Sequence, residues 1–226
     1  MTPPRRAPVG AMDVERYRSL SQRSATVREV SRPTLVLGST QRPEDTVRPF
    51  AAAEVWQRRG GGGAVLLEPG NPLWVDVWLP RTDPLWHADV GRAMHWVGAW
   101  WVAALRSSGV SGCTVHHGAM ERDGLGDLVC FASVGPGEVV AGDRKVVGVS
   151  QWRGREGALF MCCAYVRWDP AALVRHLRVP GDDGAVTRRL ETMATGLADL
   201  SSDPALADTV ARRLMASLPS WGTTAP

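Results

Sequence analysis

The chain has 226 residues, 44% of them apolar and ten of them tryptophan, with a formal net charge of +3. This length suits one large domain or two small ones, and the apolar content is sufficient for a substantial core. The charged residues are scattered and form no basic block with interleaved aromatic residues, which argues against a nucleic-acid partner. No run of roughly 18 apolar residues is present, so we expect no membrane span.

Four cysteines, Cys113, Cys130, Cys162 and Cys163, lack the C-x-x-C pairs that are typical of zinc sites. Reduced, mostly buried thiols are typical of cytoplasmic proteins, and the start of the chain lacks the apolar segment of a signal peptide. The neighbouring His116 and His117 point to opposite sides of an extended segment and have no obvious metal-binding partners. The sequence therefore predicts a cytoplasmic protein and identifies no metal-ligating residues.

The hydrophobic pattern of the first third of the chain predicts two helices and three strands. The helices are expected at 13–24 and 43–57, and the strands at 33–38, 64–67 and 73–79. The last two strands are separated by a turn rich in proline and glycine, and we expect them to form a hairpin.

The rest of the chain begins with its strongest predicted helix, 84–106, in which a stripe of tryptophan and aliphatic residues at helical spacing favours a core position. Strands are then expected at 128–132, 138–141, 145–151 and 157–168, followed by helices at 170–177, 184–199 and 203–217. Strands thus cluster in the middle with helices on both sides. This order predicts an α+β fold, with a mixed or antiparallel sheet, in a single domain whose core covers about residues 30–180.

A run of four glycines, Gly60–Gly63, follows two arginines and leads into an apolar segment. Glycines at this density cost conformational entropy, but they allow backbone amides to approach an anion closely, and a neighbouring arginine can bind phosphate or carboxylate. The pattern is neither a Walker loop nor a dinucleotide fingerprint. A flexible surface loop is the alternative interpretation.

Lys145 is the only lysine among the 26 basic residues, the other 25 being arginine. It stands between a polar turn and an apolar strand, where a compact ammonium could orient a carboxylate or phosphoryl oxygen. If it were partly desolvated, it could also lose its proton and act as a base. A solvated turn lysine is the ordinary alternative.

Taken in order, four motifs resemble the lipoate–protein ligase A family of the biotin/lipoate ligase superfamily. PTLVLGSTQ (33–41) is similar to the family's P-[ST]-[VL]-x-[IL]-G-x-x-Q, and RRGGGGAV (58–65) to its R-x-[ST]-G-G-G-A-V. EPGN (68–71) is similar to D-x-G-N, and DRKVVGVSQ (143–151) to G-R-K-[IV]-x-G-[SN]-[AS]-Q.

The resemblance implies a catalytic domain that activates lipoate or octanoate with ATP and Mg²⁺ to an acyl-adenylate. The acyl group then passes to a lysine of a lipoyl carrier domain, such as a 2-oxoacid dehydrogenase E2 or the glycine cleavage H protein. By position in the motifs, Lys145 would contact the acyl carbonyl and the phosphate. The expected substrate- and nucleotide-binding residues are Arg58, Gly61, Gly62, Gly63, Ala64, Asn71 and Gly148.

The chain departs from the family pattern at three places. Gly60 replaces a serine or threonine, Gln57 stands where many members carry arginine, and the stretch 160–163 lacks a histidine–glycine pair. We also expect no accessory C-terminal domain, so that a separate accessory chain could be required for ligation.

Two alternatives remain open beside the favoured ligase. The dipeptide Cys130-Phe131 is similar to that of the Gram-positive type of octanoyltransferase, in which a cysteine carries the acyl group without ATP. A lysine matching Lys145 could lower the pKa of that thiol. The other alternative is a non-catalytic protein that binds a lipoyl domain or an acyl ligand.

Overall fold

Two fully buried strands, β6 (Leu73–Pro80) and β12 (Gly157–Ala164), form the centre of a seven-stranded sheet in the computed structural model, which describes residues 6–8, 14–49 and 51–218. Every residue of both strands is buried because both faces of the sheet are covered. The strand order is β1 (Arg6–Pro8), β2 (Ser24–Glu29), β6, β12, β11 (Arg144–Arg153), β10 (Val139–Ala141) and β7 (Cys113–Val115). Only the β1–β2 pair is parallel.

A smaller sheet packs on one face of the large one. Its central strand β3 (Thr34–Leu37) pairs in parallel with β4 (Glu54–Gln57) and antiparallel with β5 (Val65–Leu67). Side chains alternate along β3: Val36 packs toward the large sheet, and Leu35 and Leu37 pack toward the opposite side. Strands β8 (Glu121–Arg122) and β9 (Ser133–Val134) form a separate two-stranded ladder.

Helices cover the outer faces of this two-sheet arrangement. On the large sheet lie α3 (Arg92–Ser107), whose Val97, Trp101 and Leu105 are buried, and α6 (Leu206–Ser217). On the small sheet lie α4 (Pro170–Val174) and α5 (Asp183–Glu191), and the described part of the chain has two further short helices, α1 (Val14–Arg18) and α2 (Pro43–Thr46). Within residues 6–8, 14–49 and 51–218, none of the helices has the length and apolar character needed to cross a bilayer.

The expected fold class is confirmed: the chain is α+β, with a largely antiparallel central sheet flanked by helices. The predicted strands at 33–38, 138–141 and 145–151 are present with small shifts of their ends, and 157–168 ends early at Ala164. The predicted helix 184–199 is α5 followed by a 3₁₀ turn, Leu197–Asp199, and the strong helix begins at Arg92, so that Val90 is exposed.

Three predicted elements were wrong. The helix expected at 43–57 is only α2, followed by β4, because Pro49 disfavours helical backbone at the residue before it. The segment 13–24 contains α1 but leads directly into the unpredicted β2. The strand expected at 128–132 is a 3₁₀ turn, Cys130–Ala132.

The predicted hairpin of 64–67 with 73–79 was also wrong. Strand β5 pairs with β3 and β6 pairs with β2 and β12, so the two strands belong to different sheets. Only Glu68 and Asn71 bridge across the turn between them. Both strands are entirely buried, and a continuous apolar pattern does not indicate which neighbour a strand selects.

Candidate functional site

The four-glycine loop lies against the face of the large sheet that points toward the small sheet. A Cβ atom on Gly60 would come within 2.9 Å of Met161 Cε and 3.0 Å of Ser150 Oγ, two side chains on paired positions of β12 and β11. A Cβ on Gly63 would lie 2.5 Å from backbone atoms of Val129. Glycine at position 63 is therefore required by packing against backbone, whereas the contacts at Gly60 are to side-chain atoms; the distances at Gly60 show that the loop is seated on the sheet.

The middle of the loop faces outward. Gly62 has a φ of +93°, which favours glycine, and both Gly61 and Gly62 are exposed. A Cβ on Gly38, at the end of β3, would lie only 1.8 Å from the Gly62 carbonyl oxygen, so the two backbones touch. A Cβ on Gly61 would meet no atom within 4 Å.

Arg58 supports the loop from inside. Its side chain is buried, and one terminal nitrogen donates to the carbonyl oxygens of Gly61 at 2.7 Å and Gly63 at 2.9 Å. Because the C=O and N–H of a trans peptide point in opposite directions, this contact turns the Gly62 amide away from the guanidinium. The structure thus places Arg58 as a support of the loop, with at least part of its donor capacity used inside the protein.

Two glutamines bond to backbone groups near the end of β3. Gln41 accepts a hydrogen bond from the Gly38 amide at 2.9 Å and donates to the Asp127 and Leu128 carbonyl oxygens at 3.0 Å each. Gln57 donates to the Gln41 carbonyl oxygen at 2.7 Å. Gln57, which stands where many family members carry arginine, therefore binds backbone carbonyl oxygen in this structure.

Lys145 lies near the start of β11 with 1% of its surface exposed. Its ammonium donates to Glu138 Oε2 at 2.7 Å, to the Cys130 carbonyl oxygen at 2.8 Å and to the Ser133 carbonyl oxygen at 2.9 Å. Three acceptors match the three N–H groups of an ammonium. Lys145 is therefore a buried, fully paired cation and not a solvated turn residue.

Glu138 is the partner that the sequence analysis missed. It is 5% exposed, and besides Lys145 it accepts hydrogen bonds from the amides of Gly135 at 2.8 Å and Val149 at 3.0 Å. A signal was present: a lone acid begins the predicted strand 138–141, which neighbours the strand that begins with the only lysine. Burial alone lowers the pKa of Lys145, but the charges of Cys130 and Glu138 raise it, and the net direction is upward.

Cys130 stands on the 3₁₀ turn between the lysine and the glycine loop. Its Sγ atom lies 4.0 Å from Lys145 Nζ, and a Cβ on Gly62 would lie 3.8 Å from the same sulfur. The residue is half-buried, whereas Cys113, Cys162 and Cys163 are buried, and all four are free thiols. Burial raises the pKa of Cys162 to about 12 and also raises that of Cys163. Cys130 is therefore the most accessible thiol among the four.

Gly148 provides the space in which this arrangement fits. A Cβ at this position would lie 3.3 Å from Lys145 Cε and 3.3 Å from Phe131 Cε2. The Phe131 ring, whose centroid is 5.1 Å from Lys145 Nζ, packs against Tyr165 and Trp168. A cavity of about 300 Å³ is lined in part by Phe131, Ser133 and Met193.

The structure brings some of the predicted residues together and uses others for support. Ala64 is buried and holds the cysteine turn through its carbonyl oxygen, which accepts from the Cys130 amide at 3.1 Å. The side chain of Asn71 bonds to the backbone of Val166 and Arg167, with an Oδ1 to Val166 N distance of 2.9 Å. Asn71 thus joins the turn after β5 to the segment after β12.

The chain belongs to the lipoyl protein ligase A/B catalytic domain family, whose model matches residues 11–218. This family assignment confirms the resemblance seen in the motifs and makes the chain the catalytic domain of an enzyme of the ligase or transferase type. No curated protein matches the sequence.

Solved structures show the same fold at low sequence identity. A bi-partite lipoate protein ligase from Thermoplasma acidophilum, studied with its E2 lipoyl domain, superposes with a TM-score of 0.68 at 18% identity over 96% of this chain and 84% of that one. A lipoate-protein ligase A bound with ATP gives 0.67 at 19% identity over 95% and 83%. A putative lipoate protein ligase from T. acidophilum with bound lipoic acid gives 0.64 at 18% identity over 91% and 78%.

Proposed function

We propose that this enzyme transfers a lipoyl or octanoyl group to a lysine of a lipoyl carrier domain through an acyl thioester on Cys130. The observation that carries this proposal is the half-buried Cys130 sulfur, 4.0 Å from the Lys145 ammonium and beside the exposed Gly62. A thiolate is the reactive form of cysteine, and a neighbouring cation stabilises it. The sequence alone favours an ATP-dependent ligase, and the position of this thiol supports the transferase as the first candidate.

In the first step, the Cys130 thiolate attacks the carbonyl carbon of an octanoyl or lipoyl thioester on a donor carrier protein. A new C–S bond forms, the old C–S bond breaks, and the donor thiol leaves with a proton taken from water. In the second step, the neutral amine of the acceptor lysine attacks the Cys130 thioester. The amide bond forms, the Cys130 thiolate is released, and the amine proton passes to water, so neither ATP nor a redox partner is consumed.

The glycine loop is suited to stabilise the oxygen that becomes negative in both steps. The Gly62 amide is turned away from Arg58 on the exposed part of the loop, beside the Cys130 sulfur. Backbone N–H groups held in advance at such a position stabilise tetrahedral intermediates of acyl transfer. We assign Gly61 and Gly62 to this role, with Arg58 and Gly63 fixing the loop.

An ATP-dependent lipoate ligase is the second candidate. Similar structures include one with ATP and one with lipoic acid, and the exposed Arg59, whose guanidinium lies 5.6 Å from the centroid of the Trp152 ring, could meet a phosphate. In this reaction, Mg²⁺ would bind mainly through the phosphates of ATP. The expected nucleotide-binding residues are Arg58, Gly61, Gly62, Gly63, Ala64, Asn71 and Gly148.

The acceptor under either candidate is a lipoyl domain of a 2-oxoacid dehydrogenase E2 or the glycine cleavage H protein. The bi-partite ligase was studied with an E2 lipoyl domain, and a separate accessory chain belongs to the ligase candidate. A cytoplasmic location agrees with the four free thiols and is part of the proposal.

Intact-mass spectrometry after incubation with an octanoyl carrier protein tests the proposal. We expect one octanoyl adduct, its absence in Cys130→Ala, and its persistence in Cys163→Ala as a matched control. An adduct that persists in Cys130→Ala would refute the thioester. Pyrophosphate exchange that requires ATP and lipoate, without an adduct, would establish the ligase, whereas binding with neither reaction would indicate a non-catalytic protein.

A further inference from the structure

We infer that Glu138 is a positioning residue that holds the Lys145 ammonium against the turn carrying Cys130 and so fixes the place of the thiol. The inference rests on the proposed function for its catalytic meaning. The arrangement itself is visible without any substrate.

The Glu138 carboxylate is anchored on rigid backbone. Oε1 accepts from the Val149 amide in the middle of β11, and Oε2 accepts from the Gly135 amide in the turn before β10. With Lys145 as the third donor, the buried carboxylate is held from three directions. Its position is therefore set by the strand framework and not by the ammonium that it binds.

The ammonium transmits this position to the cysteine. Lys145 Nζ bonds to the carbonyl oxygens of Cys130 and Ser133, which stand at the first residue of the 3₁₀ turn and immediately after its last. The Cys130 amide is held from the other side by Ala64. The turn that carries Cys130 is thus held by Ala64, which directly follows the glycine loop, and by the Lys145 ammonium.

The same contacts limit what the ammonium can do. All three of its protons are donated to protein acceptors, so none remains for an acyl oxygen while this arrangement lasts. Lys145 then acts on Cys130 through its charge at 4.0 Å and through the hold on the turn. Burial alone lowers the pKa of Lys145, but the charges of Cys130 and Glu138 and the hydrogen bond to Glu138 outweigh this and raise it, and Cys163 is the remaining titratable neighbour.

Stability alone is a weak reason for such a pair. A buried ion pair is often no more stabilising than apolar side chains of the same volume, because both charges lose their hydration. Here the pair lies directly behind the only half-buried thiol of the four. We therefore assign the ion pair the role of keeping the Lys145 ammonium charged and in contact with the turn that carries Cys130.

Because Lys145 is the only lysine, protein labelled with ¹³C,¹⁵N-lysine has a single side-chain ammonium signal. In the wild type, with no carrier present, we expect slowly exchanging ammonium protons and a Cε signal that titrates above the ordinary range of lysine. Fast exchange with an ordinary titration would overturn the inference, and this result needs no variant that might fail to fold.

In Glu138→Gln, which keeps the volume of the side chain, we expect Lys145 to titrate at a lower pH than in the wild type. Acyl transfer should lose about 100-fold in kcat with KM for the donor carrier unchanged, because Glu138 is buried and cannot contact a carrier directly. Glu138→Asp should recover part of the rate, and the exposed Glu44→Gln is the control. A wild-type titration or a wild-type kcat in Glu138→Gln would refute the role. If the wild type forms no Cys130 adduct, the proposed function fails, and the lysine titration still decides the arrangement.

Discussion

The glycine loop offers a matched pair of substitutions whose outcomes should differ sharply. In Gly63→Ala, the new Cβ would lie 2.5 Å from the backbone nitrogen and carbonyl carbon of Val129 and 2.7 Å from the Cys130 nitrogen. Ordinary carbon contacts begin near 3.5 Å, so the loop and the cysteine turn must separate by about 1 Å. In Gly61→Ala, the same methyl group would enter open space.

The expected magnitudes follow from this difference. Overpacking of this kind costs about 1–3 kcal/mol, which for a chain of this size lowers Tm by roughly 2–12 °C. Moving a reacting group by about 1 Å can cost about 100-fold in rate, so acylation of Cys130 in Gly63→Ala should fall by that factor. Gly61→Ala should change the free energy of unfolding by no more than about 0.5 kcal/mol, as is usual at exposed sites, and should therefore leave Tm almost unchanged.

Calorimetry and the time course of the Cys130 adduct measure the two effects. The reasoning fails if Gly63→Ala acylates at the wild-type rate, since the loop would then not be seated against the cysteine turn. It also fails if the two alanine variants lose stability equally, because the contact distances would then have no energetic meaning.

Three further outcomes are expected. Lys145→Met leaves the Glu138 carboxylate buried without its counter-charge and should lower the free energy of unfolding by about 3–5 kcal/mol in calorimetry. Because the pKa of Lys145 in the folded protein is raised above its usual 10.5, the stability difference between variant and wild type should be complete below pH 10.5 and vanish as the pH rises through the folded pKa. A stability difference that does not change with pH would contradict this. Gly148→Ala should displace the ammonium, detected as a changed Lys145 ¹⁵Nζ signal and loss of Cys130 acylation, and an unchanged signal would show that the 3.3 Å contact is harmless. Asn71→Ala should lower stability by about 1–3 kcal/mol with little change in the lysine signal, because Asn71 bonds to the backbone at Val166; a loss of activity at full stability would instead indicate contact with substrate.

Motif order predicted which residues lie close together better than it predicted their contacts. Lys145, the glycine loop and Cys130 do come together, because motifs far apart in sequence lie on adjacent elements of the fold. Arg58 and Asn71 fit the same motifs, yet in the structure their side chains support backbone segments. A motif fixes the type of a residue, whereas its role depends on which acceptors surround it after folding.

Glu138 could not be assigned to the site from its type alone. An acid at the start of a strand is ordinarily a surface residue, and its burial here depends on the pairing of β10 with β11, including the irregularity between Val139 and Val140. The small sheet was missed for a related reason. Its edge strand β4 is mostly exposed and pairs with β3, which lies about 20 residues earlier in the chain.

The burial of the only lysine also affects how readily the protein is acylated by its own reactive intermediates. Acyl thioesters and acyl-adenylates react with amines, and any such intermediate that leaves its site endangers nearby lysines first. This protein has 25 arginines and no lysine at its surface, and a guanidinium stays protonated and is not acylated under these conditions. Under the proposed function, the only side-chain amine is sealed behind the reactive centre, so the enzyme presents no lysine on which it could acylate itself.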